Sequence, residues 1–172
     1  MIKNLFLKTE KRGFTLVELL IVIGVIAVLA SLAFVALDPL ARFQDSRNAQ
    51  RWTDVNAVLS AVKLDQVDNG GLYMDAINDL TNDYYYMIGT EGDCNKTCSN
   101  PTVVLQADCV DLEGLLDDGY LQEIPFDPSQ TGAGSNYSYY YLVKHTSGAI
   151  TVGSCSEEAG SQTTPPSISS TR

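Results

Sequence analysis

Residues 19–37 carry no charge and are almost entirely Leu, Ile, Val, Ala and Phe, and just before them a basic run closes with Lys11-Arg12-Gly13. Counted from Phe14, the apolar stretch makes roughly 36 Å of helix at about 1.5 Å per residue, longer than a hydrocarbon core of about 30 Å. An ordinary secretory signal has a shorter apolar core followed by a small-residue cleavage site. Here the one obvious processing feature, Gly13, precedes the core. Cutting after Gly13 would remove the charges and leave the whole helix on the mature chain. Positive residues precede the span, and Asp38, Asp45 and Asp54 are among the charges that follow it. The expected topology is a single pass with the N-terminus inside and the body outside.

Glu18 interrupts the apolar character near its start, and a carboxylate deep in lipid costs on the order of 2–3 kcal/mol or more. Two readings account for it. At the headgroup boundary it costs little. Alternatively, after cleavage it lies one helical turn from a new amine on Phe14 and pairs with that amine on its own or a neighbouring chain. In a bundle, that charge would fix axial register, as a single polar residue does in a coiled coil. Position alone leaves both open.

Taken together, Gly13-Phe14-Thr15-Leu16-Val17-Glu18-Leu19-Leu20-Ile21-Val22-Ile23 resembles the class III signal of type IV pilins and of the pseudopilins of type II secretion. The motif is specific because it needs a basic run, the Gly, the Phe and the Glu in fixed order before an apolar span. The resemblance implies cleavage between Gly13 and Phe14 by a membrane prepilin peptidase, N-methylation of Phe14, and a role for Glu18 in docking each subunit. It also implies a filament built by self-assembly with minor pilins or pseudopilins, driven by an inner-membrane platform protein and an assembly ATPase.

Beyond the span, Asp38-Pro39 breaks the run, because proline lacks a donor and disfavours helix at the residue before it. Helical spacing resumes with Trp52, Val55, Leu59, Val62 and Gln66 and stops at Asn69-Gly70-Gly71; the part from Trp52 to Val62 is the expected sheet-facing stripe. Residues 84–88, 102–105, 137–146 and 149–154 read as strands, the last two joined through Ser147-Gly148 as a hairpin. Residues 110–121 read as a short helix or turn. The fold class expected is α+β, pilin-like, with a long N-terminal helix packed on a small antiparallel sheet. The parts are a leader at 1–13, a membrane and polymerisation helix at 14–37, an outer helix at 38–70, a globular head at 71–156 and a disordered tail at 157–172, which is rich in Ser, Thr, Pro and Gly.

The 172 residues carry a net charge of −10, but the first thirteen hold four basic side chains and one acidic one. The remainder has seven basic against twenty acidic side chains, a balance of −13. Such a body repels phosphates, so direct nucleic acid binding is not expected. Cys94, Cys98, Cys109 and Cys155 all lie in the part that would be exported, where disulfides are the default. Connectivity is not readable from sequence, and Cys94–Cys98 with Cys109–Cys155 is only a weak preference. A Cys₄ zinc site lacks the second knuckle.

The run Gly119-Tyr120-Leu121-Gln122-Glu123-Ile124-Pro125-Phe126-Asp127-Pro128 is similar to the segment before the final strands of major pseudopilins, some of which bind calcium nearby. Asp127 and Ser129 offer oxygens, but carboxylates are few for a hard cation, and calcium stays unassigned. No other cofactor is expected. His145 has no evident nucleophile beside it. The tyrosines at 139, 140 and 141 straddle a strand, with packing expected on one side and surface contact on the other. The sequons at Asn95 and Asn136 are read as chance. A non-enzymatic filament subunit of a pilus or pseudopilus is the leading expectation, and a monomeric membrane-anchored binding module that uses the leader only for export is the alternative.

Overall fold

The computed structural model describes residues 13–90, 92, 94 and 97–172. The leader's basic residues, from Lys3 to Arg12, and the sequon residues Asn95 and Lys96 lie outside them. The chain divides into two units, one ending at Pro39 and one running from Leu40 to Arg172.

The first unit is helix α1, Leu16–Leu37, with none of its 22 residues buried. It is apolar all round instead of along one stripe, the pattern of a helix made for an apolar surrounding and not for packing on a soluble core. Its regular hydrogen bonding stops at Asp38, which takes a left-handed conformation with φ 35°. Asp tolerates that region better than most residues. Pro39 then opens the next helix, where its fixed φ and missing N–H suit a first turn.

Helix α2, Pro39–Asp68, lies in the second unit from Leu40 onward and buries Ala41, Asn48, Arg51, Val55, Val58, Leu59, Ala61, Val62 and Asp65. These repeat at three and four residues, as one helix face must. The expected stripe is confirmed at Val55, Leu59 and Val62. It is corrected at its start, where Trp52 is 40% exposed and the neighbouring Arg51 turns inward; beyond the stripe, Asp65 is buried as well. Each inward charge is partnered, which is what allows it to be buried. Asp65 accepts from the Asn69 side-chain amide at 2.7 Å and from the Met74 backbone N–H at 3.2 Å.

Among the described residues, six strands follow: β1 Tyr85–Met87, β2 Thr97–Ser99, β3 Thr102–Val104, β4 Tyr140–Lys144, β5 Ile150–Ser154 and β6 Ser169–Thr171, with short helices α3 Asp75–Asn78 and α4 Gly114–Asp117. An antiparallel sheet runs in the order β1-β4-β5-β6, and β2 pairs with β3 separately. The β4–β5 hairpin keeps full register from Tyr140↔Ser154 to Lys144↔Ile150, and Gly148 supplies φ 83° at its turn.

Side-chain alternation along β4 divides the core. Tyr140 and Leu142 face α2 with Ile150, Val152 and Ile168. Tyr141 and Val143 face a second cluster made by Met87, Leu105 and three of the cysteines. Tyr141 is 4% exposed, so the outward tyrosine is covered and does not offer the surface contact expected from the sequence. The segment that covers it is the disulfide region.

Both disulfides differ from the weak sequence preference. Cys94 pairs with Cys109 and Cys98 with Cys155. The backbone sets this choice. Cys94 N–H donates to Ala107 O at 2.7 Å, which brings Cys94 beside Cys109, and Ser99 and Asn100 both donate to Cys155 O, which lays β2 against the end of β5.

The disordered tail is also corrected. β6 pairs with β5, and Ile168 has no exposed surface. Polar composition hid one apolar plug and one free sheet edge, and together these suffice to order a short strand. Non-reducing peptide mapping is expected to recover Cys94 linked to Cys109 and Cys98 linked to Cys155; a Cys94–Cys98 peptide would contradict this packing.

Candidate functional site: the N-terminal segment and the clasp of the head

Gly13 and Phe14 are exposed ahead of α1, with Phe14 80% exposed. Thr15 is the N-cap. Its hydroxyl accepts from the Glu18 N–H at 3.1 Å, and the Glu18 carboxylate accepts from the Thr15 N–H at 2.8 Å and from its hydroxyl at 2.8 Å. This reciprocal capping box satisfies donors that the first helical turn would otherwise leave orphaned. The structure therefore adds a third use for Glu18, local helix capping, in the chain where Phe14 still follows Gly13 through a peptide bond. The sequence carries the signal for this as Thr15-x-x-Glu18, a Thr three residues ahead of a Glu before an apolar run.

In the head, a buried polar clasp joins three segments. The Arg51 guanidinium, with no exposed side-chain surface, donates to both Asp127 oxygens at 2.7 and 3.0 Å, to Ser129 Oγ at 2.8 Å, to Asn48 Oδ1 at 2.7 Å and to Glu158 at 3.0 Å. Arg47 donates to the same Glu158 carboxylate, and Asn48 donates to the Glu158 carbonyl. The first hydrogen bond, from Arg47, and then that from Arg51 hold the Glu158 carboxyl below the usual range. Asp127 and Ser129, which the sequence offered as oxygen donors, are here turned onto a guanidinium.

His145 lies between Asp83, 3.1 Å from Nδ1, and Thr151, 2.7 Å from Nε2. This brings together an acid, an imidazole and a hydroxyl that the sequence did not. The Thr151 hydroxyl, however, also meets Thr171 Oγ1 at 2.7 Å, so it serves the contact between β5 and β6.

A family model described as the prokaryotic N-terminal methylation motif matches residues 8–34. The chain carries a type IV pilin-like class III signal peptide. The motif and an apolar helix of spanning length fit a single-pass, membrane-anchored pilin, and they suggest a structural protein assembled with a prepilin peptidase and filament partners in general. The match ends within α1, so the head and its clasp stand outside it. No curated protein and no solved structure matches the chain.

Breaking a buried ion pair by removing one partner strands the other charge, at a cost of about 3–5 kcal/mol. Arg51→Ala is expected to lower denaturant stability of the head by that order, and Arg51→Met combined with Asp127→Leu to recover most of the loss. Because the Glu158 carboxyl is held low, its contribution is present above the unfolded carboxylate range and lost as pH falls through the folded value. Acid unfolding curves should accordingly show a stability loss that Glu158→Gln flattens.

Proposed function

We propose that this chain is the structural subunit of a type IV pilus or a type II secretion-like pseudopilus, cleaved after Gly13, N-methylated on Phe14 and assembled through its apolar helix. The observation that carries the reading is α1 itself. A fully unburied helix makes up most of the matched methylation motif and runs on to Leu37, has one carboxylate at its start, and is retained if processing occurs on its cytoplasmic side. A chain that needed only export would gain nothing from keeping such a surface.

In this reading the leader's positive charges hold the N-terminus in the cytoplasm and the head crosses. The partners are other copies of the chain, minor pilins or pseudopilins, a prepilin peptidase, a platform protein and an ATPase. The energy-using chemistry belongs to the last of these, and the chain is a substrate and not an enzyme. The acidic head disfavours a nucleic-acid-contacting role, so within a DNA-uptake machine it would be a shaft subunit. Calcium remains unassigned.

Glu18 then has successive uses. In the precursor it caps α1, and once Phe14 carries a free amine the same carboxylate is available to a cation on its own or a neighbouring chain, where it sets register. Glutamine also serves at this position of a capping box, so Glu18→Gln keeps the cap and removes the charge, whereas Glu18→Ala removes both. Both variants are expected to insert and be cleaved yet to be missing from sheared filaments. Incorporation of Glu18→Gln at the wild-type level would leave only the cap and sink the register reading; incorporation of both would leave Glu18 without a role in assembly, and absence of the wild-type chain itself from sheared filaments would favour the monomeric anchored module.

A further inference from the structure

The segment 157–172 behaves as a strap with one unusual fastening. Glu157 is 5% exposed. One of its carboxyl oxygens, Oε1, accepts from the Ile168 N–H at 3.1 Å, and the other, Oε2, is buried with no hydrogen-bond partner among the described residues. A single carboxyl thus clips together the two ends of the bight 157–168. Between the ends, the strap lies on the early turns of α2. Gly160 N–H donates to Gln44 at 3.0 Å and Ser161 N–H to Asp45 at 3.0 Å. Gly160 has φ 59°, a left-handed conformation that favours glycine, and a Cβ there would displace the Asp45 carboxylate that holds Ser161. Past Ile168 the chain becomes β6. Upstream, Cys155 is tied to Cys98 and Glu158 is held by Arg47 and Arg51, so any release is confined to residues beyond Glu158.

We propose that Glu157 is a proton-operated lock on this strap: neutral, it lets the chain beyond Glu158 seat on α2 and β5, and ionised, it sends the rest of the bight and β6 away together about a hinge at Glu158, which Arg47 and Arg51 keep clasped.

The charged and titratable groups that face Glu157 are Arg51 on α2, Asp127 in the loop before β4 and Tyr141 on β4. Glu158 follows it on the strap, and His145 reaches β6 through Thr151 and Thr171. Loss of solvent is the largest influence on Glu157 and opposes the charged form; the backbone N–H donors and Arg51 only partly offset it, and the carboxyl is pushed up to about 7. The sign follows. Between the ordinary carboxyl range and that value the seated strap holds a proton that the released strap gives up, so seating weakens as pH rises through this window and is level above it. Glu158 acts in the opposite sense at the acid end. The strap is therefore held best in mildly acidic conditions, and neutral to alkaline conditions uncover the edge of β5 and the early turns of α2.

The test is hydrogen exchange with mass spectrometry on the full chain in detergent micelles, expressed as protection factors at about pH 5.5 and about pH 8. Each pH unit across the window corresponds to about a tenfold change, so amides of β6 and of residues 159–168 should lose at least about tenfold protection at the higher pH. Amides of β1 and β4 should not. Glu157→Gln should abolish the difference, and His145→Gln should keep it. Equal protection of wild-type strap amides at both pH values overturns the proposal, as does an undiminished difference in Glu157→Gln or its disappearance in His145→Gln. Should Glu157→Gln fail to fold, the wild-type and His145→Gln comparisons decide.

Discussion

A guanidinium stripped of all water must have each of its donors met by protein, and Arg51 meets that condition only because three separated segments converge on it. Asn48 comes from its own helix, Asp127 and Ser129 from the loop ahead of β4, and Glu158 from the strap. Exposed ion pairs are worth about 0–1 kcal/mol, whereas a buried pair is costly to break and close to neutral if replaced as a unit by apolar groups. Its value here is therefore geometric. It holds the first half of α2, which buries little apolar surface, against the same body that Val55, Val58, Leu59 and Val62 hold by hydrophobic packing further along.

The sheet inherits its two-sided character from this arrangement. With α2 on one face, Tyr140 and Leu142 are covered, and the Tyr140 hydroxyl donates to Asp54 on the helix at 2.7 Å. The other face would be open if the region from Cys94 to Cys109, closed on itself by its own disulfide, were not folded back over Tyr141 and Val143 and tied to the end of β5 through Cys98–Cys155. In contrast, α1 has no such cover. All of its apolar surface awaits something outside the described chain, and lipid and like helices are the surroundings the proposed function supplies.

What could be read from the sequence followed physical periodicity. The uncharged run over 19–37, the break at Asp38-Pro39, the stop at Gly70-Gly71 and the hairpin through Gly148 each rest on one local rule, and each stands in the structure. Misreadings came where polarity was taken as exposure. Arg51 and Asp65 point inward because distant partners satisfy them, and no window of neighbouring residues contains those partners. The strap reads as disorder by composition, yet Ile168 and the open edge of β5 recruit it. Cysteine pairing follows from backbone contacts such as Cys94 to Ala107, which sequence spacing does not encode. The Glu18 cap is of the opposite kind, since its partner Thr15 lies only three residues away and the pairing is local.

Everything proposed for function depends on the helix surviving on the mature chain. The direct measurement is mass spectrometry of the N-terminal peptide from protein extracted from the membranes of cells that express the whole chain. The account predicts a peptide beginning at Phe14 and one methyl group heavier than its sequence. A chain still beginning at Met1, or one cut beyond Leu37, would contradict it.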